Sequence, residues 1–201
     1  MKTTLLLSFI LFLGACATMN KSECINANWK IIGIQDGSNG KLSAYLGEHQ
    51  SACSEYNITP DLELYMQGHE IGVKQYCTEI NGYNLGENGG SYNGVCPQAL
   101  EERFLIAYNH GYENYKLNYQ IQELEYSISS AIREIDELKE EVSELENNLI
   151  SDSTTKEQRE DLLKQIKQCN ETIKQLEYDI GYHHHLKEEI EEILFTHNQS
   201  H

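Results

Sequence analysis

Apolar residues recur every three or four positions through most of the chain, which is the spacing of one face of an α-helix. In the second half this repeat runs without interruption from Ile121 to Leu149. The polar stretch SDSTT at 151–155 ends it, and a second run extends from Leu162 to Leu194. Two matched runs joined by a short break predict an antiparallel coiled-coil hairpin over residues 121–195. The alternative is two unbroken helices that pair between chains.

Several residues of the predicted hairpin have a specific expected role. Thr154 and Glu157 form a capping-box pattern that opens the second helix. Cys169 falls on the apolar seam, where we expect a buried thiol, although an intermolecular disulfide is the alternative. His183–His185 point in different directions because adjacent helical positions lie about 100° apart, so they cannot all bind one ion. His184 and Glu188 are spaced as a weak ligand pair, but the run is typical of a solvated helix end, and we predict no metal site.

The first half carries glycines where helices are expected. Three segments, 29–40, 65–76 and 104–115, combine aromatic and small residues at helical steps. A glycine in a helix costs about 1 kcal/mol relative to alanine, so close backbone approach is the natural reason for these positions. We therefore predict an all-α fold: a compact, disulfide-stapled helical domain over 24–120, followed by the hairpin.

The helix boundaries in this domain are predicted from local signals. Thr59 and Pro60 are expected to start a helix over 60–80, and Asn81-Gly82 to end it. A further helix is predicted over about 41–53. The glycine-rich stretch NGYNLGENGGSYNGVCP at 81–97 is predicted to be an ordered loop.

The first twenty residues resemble a bacterial lipoprotein signal. A short apolar stretch, Leu5–Leu13, is too short to cross a membrane and leads into Leu-Gly-Ala-Cys. We expect a signal peptide over 1–15 and a lipid, such as palmitate, on Cys16, with 16–23 as the tether. No aspartate follows Cys16, which favours the outer membrane and a periplasm-facing protein. An ordinary cleaved signal is the alternative.

Four further cysteines, Cys24, Cys53, Cys77 and Cys96, lie within the predicted domain. An exported chain enters an oxidising compartment, so two disulfides are expected. Three pairings are possible, and the spacing does not choose among them. A Cys77–Cys96 bond would close a loop of about twenty residues. Paired Cys-x-x-Cys spacing is absent, which argues against zinc.

The charge is strongly acidic and uneven. The net charge is −17, and residues 101–201 hold 23 of the 32 acidic side chains. This balance excludes a nucleic-acid-binding protein, which needs clustered lysine and arginine. It also disfavours broad docking on anionic lipid, so membrane association is assigned to the lipid on Cys16.

The sequence contains no hydrolase, phosphate-loop or dinucleotide signature, and no cofactor is predicted. The candidate reactive groups are Asp36, His49, His69 and His110. A structural role is the simpler interpretation for each of them. The functional hypothesis is that helices 60–80 and 97–120 cross through their glycines. His69 would then approach His110, and both would line a polar groove with Asp36 and His49.

The order of motifs resembles a known family. These motifs are NW, GIQDGSNG, ITPD, GHEIG, NGYNLG and GGSYNGVCP, with cysteines between them. Together they resemble domain-of-unknown-function family 2799, over about residues 24–120. The resemblance implies a small exported protein or lipoprotein, and it implies no activity.

Two functional classes follow. The first is a non-enzymatic envelope lipoprotein whose 121–195 hairpin binds a partner protein or self-associates. The alternative is an enzyme or small-ligand binder that uses the His/Asp groove in 24–120 on an envelope substrate. Residues 196–201 are predicted to form a disordered tail.

Overall fold

The computed structural model describes residues 19–199, and within them the fold is all-α, as predicted. The helices are α1 (Lys21–Ile25), α2 (Trp29–Ser38), α3 (Leu46–Ser54), α4 (Leu62–Tyr76), α5 (Glu79–Glu87), α6 (Gln98–Ile150) and α7 (Lys156–Gln199). A 3-10 turn, Ser43–Tyr45, precedes α3. The chain divides into two compact units, Met1–Gly82 with Ser91–Ile106 and Tyr83–Gly90 with Ala107–His201.

Helices α2 and α4 cross where glycines replace larger residues. A Cβ atom on Gly33 would overlap the backbone carbonyl of Tyr65, and one on Gly37 would overlap that of His69. A Cβ atom on Gly72 of α4 would likewise overlap the backbone of α2. The backbones can approach this closely only without side chains, which explains why this crossing tolerates the low helix propensity of glycine.

The same contact recurs between α5 and α6. A Cβ atom on Gly82 would overlap the carbonyl of Phe104, and one on Gly86 would overlap that of Tyr108. Positions in α5 correspond to α2 at a constant offset of 49 residues, and positions in α6 correspond to α4 at an offset of 39. The chain therefore contains an internal repeat, whose first copy lies within 33–76 and whose second copy lies within 82–115.

The turn after the first helix of each copy repeats as well. Gly40 and Gly89 adopt the left-handed conformation, with φ of 71° and 68°. Each packs against the ring of a tyrosine from the second helix, Tyr76 and Tyr115 respectively. Only glycine adopts this φ without strain, so the glycine that ends each helix is a conformational requirement.

Two disulfides staple the first unit. Cys24 is bonded to Cys53, and Cys77 is bonded to Cys96. The first bond joins α1 to α3, and the second joins the end of α4 to the segment before α6. The expectation of two disulfides among these four cysteines is confirmed, and the structure selects one of the three pairings.

Helices α6 and α7 form the predicted hairpin. The buried apolar residues along it are Ile128, Ile135, Cys169, Ile173 and Ile190. Cys169 is free and buried, as expected for a seam residue. Helix α6 runs without a break through the predicted domain boundary at 120, and α7 continues to Gln199, past residue 195.

The turn of the hairpin is held by polar contacts. The Arg159 guanidinium donates to the carbonyl oxygens of Leu149 and Ser151. The capping box that starts α7 is formed by Thr155 and Gln158, whose side chains each accept from the other's backbone N–H. The predicted box, at Thr154 and Glu157, was one residue too early.

Three other predictions about the first half are wrong. The stretch 81–97 is not all loop, because α5 occupies its first seven residues. Helix α4 ends at Tyr76, and its cap is Asp61, whose carboxylate accepts from the backbone N–H of Leu64, so Thr59 does not cap it. Helices α4 and α6 do not cross through their glycines, because the glycines of α4 face α2 and Gly111 of α6 faces α5.

Candidate functional site

A polar cluster of three side chains lies in the first unit. Asp36 Oδ2 is 2.8 Å from His49 Nε2 and accepts a hydrogen bond of 2.9 Å from the Tyr65 hydroxyl. The Asp36 side chain is 13% exposed and that of His49 is 8% exposed. Tyr65 is fully buried. Two of the four candidate residues, Asp36 and His49, are therefore brought together.

Three different helices supply this cluster. Asp36 lies on α2, His49 on α3 and Tyr65 on α4. The glycine crossing brings α2 close to α4, and the Cys24–Cys53 disulfide lies one helical turn from His49 on α3. These constraints set the position of the cluster before any ligand binds.

The His49 ring is enclosed by aromatic rings. Ring centroids lie 5.2 Å away for Tyr45, 6.3 Å for Tyr65 and 6.5 Å for Trp29. The Tyr45 ring meets it edge-on, a favourable arrangement for aromatic pairs. This packing, together with the bond to Asp36, fixes the orientation of the imidazole.

The cluster borders a cavity of about 530 Å³, which we call the Asp36 pocket. This volume lies within the range of about 300–1,000 Å³ that is typical of small-molecule sites. The residues that line it are Met19, Ser22, Glu23, Asn26, Ala27, Asn28, Ile32, Gln35, Asp36 and His49. They come from α1, α2 and α3 and the segments beside them, so the pocket belongs to one unit.

The Tyr65 hydroxyl acts as a neutral donor in this cluster. Burial raises the pKa of Tyr65 above its usual range, and the hydrogen bond and negative charge of Asp36 raise it further. Tyr65 therefore stays protonated at physiological pH and donates to Asp36. The carboxylate is held by two donors on Oδ2, while Oδ1 takes no part in either bond.

The internal repeat shows which of these polar groups packing requires. The position of Asp36 in the first copy is occupied by Leu85 in the second, and the position of Tyr65 by Phe104. Phe104 is also fully buried. The same helix pair thus forms with apolar residues at both positions. The hydroxyl of Tyr65 and the carboxylate of Asp36 are additions that the fold itself does not need.

His69 has a structural partner. Its Nε2 lies 2.7 Å from the carbonyl oxygen of Lys41, which can only accept, so Nε2 is the donor. In the second copy the Tyr108 hydroxyl donates to the carbonyl of Gly90 over 2.9 Å. The two bonds are equivalent under the repeat. The His69 ring also stacks on the Tyr65 ring, with centroids 5.8 Å apart, so it helps to hold the Tyr65 side chain in place.

His110 lies in the second unit. Its ring is 5.4 Å from that of Tyr83 and 4.5 Å from that of His197. Asn114, one turn further along α6, is 2% exposed and donates to the Tyr83 hydroxyl and to Asn198. These contacts tie the end of α7 to α6 inside that unit. The predicted meeting of His110 with His69 stays a prediction.

Other predicted sites have different outcomes. Cys16, the predicted lipidation site, lies outside the described residues. In the His183–His185 run, Nε2 of His185 is 3.4 Å from Oε1 of Glu189, and both side chains are exposed.

Within residues 19–199 no group of three or more histidine, cysteine or acidic side chains is arranged to hold a metal ion. None of the helices in this part of the chain combines the length and apolar character of a membrane span.

Comparison with known families adds one result. Residues 28–113 match the family described as "Protein of unknown function (DUF2799)". This segment is therefore similar to the DUF2799 family. The match confirms the resemblance inferred from the motifs. No curated protein and no solved structure matches the chain.

The matched segment, residues 28–113, contains the whole polar cluster and all but the last two residues of the second copy. Two features of it escaped sequence reasoning: the hydroxyl of Tyr65 and the repeat itself. Both could have been found by aligning GIQDGSNGK at 33–41 with GYNLGENGG at 82–90, which share three glycines and an asparagine. That alignment places Leu85 opposite Asp36 and marks Asp36 as the exception.

Proposed function

We propose that this protein is a lipid-anchored protein of the bacterial envelope whose first unit binds a small molecule in the Asp36 pocket, without chemical turnover. The observation that carries the proposal is the difference between the two repeat copies. Asp36 and Tyr65 stand where the second copy has two apolar residues, Leu85 and the fully buried Phe104. Buried polar groups that the fold does not require are found mainly at functional sites, because they cost desolvation free energy.

Binding is a better account of the site than catalysis. Both donors converge on one oxygen of Asp36, and the His49 ring is held by packing. Tyr65 remains a neutral donor because its pKa is raised. Such an arrangement presents a fixed carboxylate, which suits recognition of a ligand.

The binding proposal is tested by native mass spectrometry on the full-length protein, purified in detergent from its own cells. The expected result is a bound small molecule that the Asp36→Asn variant loses. Asp161→Asn is the matched control, because Asp161 lines a second cavity, of about 520 Å³, at the hairpin turn. A bound mass that persists in Asp36→Asn, or none in the wild type, would contradict the proposal.

The anchor is tested separately by growing cells with labelled palmitate. We expect label in the wild-type protein and none in Cys16→Ser, with the wild type in the outer-membrane fraction. An unlabelled wild-type protein would remove the lipid anchor from the proposal and leave the pocket unaffected.

A second candidate function, protein binding by the hairpin, is favoured by a row of tyrosines on α6. The rings of Tyr112, Tyr115 and Tyr119 follow one another at centroid distances of 5.9 and 6.3 Å. Tyr119 and Tyr126 are more than half exposed. Exposed tyrosines are frequent at protein interfaces. Because residues 101–201 hold 23 of the 32 acidic side chains, we propose that the occupant of this row is a partner protein with a basic surface.

This second candidate is tested by placing a photo-crosslinking residue at Tyr119 in living cells. Ser129 is the control position, because it is exposed and lies about 80° away around the helix. A crosslink to a basic protein from Tyr119 and not from Ser129 supports the candidate. A crosslinked dimer of this chain, or equal crosslinking from both positions, contradicts it.

A further inference from the structure

The lining of the Asp36 pocket contains negative and neutral groups but no fixed positive charge. It includes two carboxylates, Asp36 and Glu23, and neither lysine nor arginine is among its described residues. No lysine or arginine of residues 19–199 forms an ion pair with either carboxylate. Of the two side chains bonded to Asp36, only His49 can become a cation, and it carries charge only when protonated.

A nearly buried carboxylate without a fixed counter-charge favours a cationic ligand. Removing a carboxylate from water is costly unless it is paired or well hydrogen-bonded. The two donors on Asp36 Oδ2 compensate part of that cost, and a cation near Oδ1 would compensate more. A phosphate or carboxylate group would instead meet two like charges and no cation.

One neutral polar residue of the lining, Asn26, also suits a cationic ligand. Asn26 donates its side-chain amide to the carbonyl of Ser22, which leaves its carbonyl oxygen as an acceptor for a ligand. An ammonium group offers three donors and no acceptor, so it matches the two carboxylates and the Asn26 oxygen. Met19, Ala27 and Ile32 supply an apolar side for a short hydrocarbon body.

We infer that the Asp36 pocket binds an aliphatic amine, with an ammonium group on Asp36 and a short alkyl chain against Met19, Ala27 and Ile32. This inference rests on the proposed binding function and specifies its ligand class. The amine is either free in solution or part of a lipid headgroup. A phospholipid headgroup carries a negative phosphodiester beside its amine. The described lining offers no positive partner for that phosphodiester, which favours the free amine.

The test is isothermal titration of the full-length protein in a non-ionic detergent, at pH 7 and 0.15 M salt, with three five-carbon probes. They are 1,5-diaminopentane, 1,5-pentanediol and glutarate, which each contain five carbon atoms and end in amine, hydroxyl and carboxylate groups respectively. We expect the diamine to bind at least tenfold more tightly than the diol and glutarate not to bind. Asp36→Asn is expected to weaken diamine binding at least tenfold, while Asp161→Asn leaves it unchanged.

The result that would overturn the inference is equal binding of diamine and diol, tighter binding of glutarate, or diamine binding that Asp36→Asn leaves intact. The last outcome would identify non-specific attraction to an acidic surface. If the amine class fails but native mass spectrometry still finds a mass that depends on Asp36, the binding function stands with another ligand. If diamine does not bind and native mass spectrometry also finds no mass that depends on Asp36, the proposed binding function is wrong as well.

The source of the amine is addressed by a second arm. The protein is placed in nanodiscs that contain either phosphatidylethanolamine or phosphatidylcholine, and diamine titrations are repeated. Equal diamine affinity in both discs supports a free amine. Weaker apparent affinity in the phosphatidylethanolamine discs would show competition by the headgroup and overturn the assignment to a free amine.

Discussion

The hydroxyl of Tyr65 donates a 2.9 Å hydrogen bond to the carboxylate of Asp36, although the tyrosine is fully buried. The second repeat copy has Phe104 and Leu85 at the same two positions. One copy therefore contains a buried polar pair where the other has apolar residues. This contrast allows stability and function to be separated by mutation.

The Asp36–Tyr65 pair should behave as a coupled unit in a double-mutant cycle. Asp36→Leu alone leaves the Tyr65 hydroxyl buried without its acceptor, a loss of about 1–3 kcal/mol. The double variant Asp36→Leu/Tyr65→Phe removes both groups and reproduces the second copy, so we expect it to be more stable than Asp36→Leu. The measurement is urea unfolding of all four proteins followed by circular dichroism.

His49 loses a partner in both variants that lack Asp36, so this cost cancels when the two are compared. Tyr65→Phe alone should cost about 1 kcal/mol. If the losses of unfolding free energy caused by Asp36→Leu and by Tyr65→Phe add up to the loss in the double variant, the pair is not coupled and the interpretation of the repeat is wrong.

The glycine crossing should be intolerant of a single methyl group. In Gly37→Ala, the new Cβ would overlap the backbone carbonyl of His69, so α2 and α4 would have to separate. We expect a loss of at least about 2 kcal/mol in the free energy of unfolding. Gly47 is the matched control, because it is exposed on α3 and a Cβ there meets nothing within 4 Å. Gly47→Ala should be neutral or stabilising by up to about 1 kcal/mol.

The second copy supplies an independent check of the same idea. Gly86→Ala should be as harmful as Gly37→Ala, because its Cβ would overlap the carbonyl of Tyr108. If Gly37→Ala and Gly86→Ala are tolerated as well as Gly47→Ala, glycine at these positions serves something other than close packing.

Much of this architecture is visible in the sequence because helical periodicity is a local signal. The spacing of apolar residues from Ile121 onward predicts the hairpin, and the glycines at helical steps predict close crossings between helices. The sequence does not show which helices cross each other. A glycine such as Gly68 or Gly111 indicates that another backbone approaches closely, but not which helix supplies that backbone. The sequence predicts a loop where α5 lies at 79–87, because clustered glycines are a loop signal, although the glycines of α5 serve the crossing.

The candidate site was only partly foreseen for a similar reason. Asp36 and His49 were named because their side chains titrate, and the structure joins them over 2.8 Å. Tyr65 is not among the residues predicted for the site, because nothing local in the sequence shows which way a tyrosine hydroxyl points. His69 is predicted as a candidate reactive group, but the structure shows that its Nε2 makes a long-range hydrogen bond to the carbonyl oxygen of Lys41.

The bond of His69 should contribute to stability and not to binding. His69→Ala leaves the Lys41 carbonyl without this donor, and we expect a loss of about 1–3 kcal/mol. Gln at this position retains a side-chain N–H donor and should recover part of the loss. The equivalent test in the second copy is Tyr108→Phe, which removes the donor to Gly90. Thermal unfolding measures stability, and native mass spectrometry should find ligand still bound to His69→Gln.

If His69→Gln folds normally but loses the bound ligand, His69 is part of the site and its assigned role is wrong. If Tyr108→Phe costs nothing while His69→Ala is harmful, the two bonds are not equivalent.

Stability should fall in strongly alkaline solution through the buried tyrosines. The pKa of Tyr65 is raised in the folded state by burial and by Asp36, and burial also raises the pKa of Tyr83 and Tyr92. A raised pKa means that the folded state favours the protonated phenol. Its contribution is complete below the ordinary tyrosine pKa of about 10 and is lost as the pH rises above that value.

The measurement is the urea midpoint between pH 8 and pH 11.5, which should decline above pH 10. Tyr65→Phe should decline less steeply than the wild type, because one of the groups responsible is absent. Identical slopes for the two proteins would show that Tyr65 does not couple folding to pH.

Met19 is one of the walls of the Asp36 pocket, and only two residues separate it from Cys16, the proposed site of the lipid. Three peptide units span at most about 11 Å, roughly a third of the hydrocarbon thickness of a bilayer. With the proposed lipid in place, the Met19 wall of the pocket would stay within about 11 Å of the anchor, close to the membrane surface. Its ligands are then those that accumulate at the membrane surface, and the concentration it experiences is set by that surface. An unanchored Cys16→Ser protein would have the same affinity in a test tube and a different occupancy in the cell.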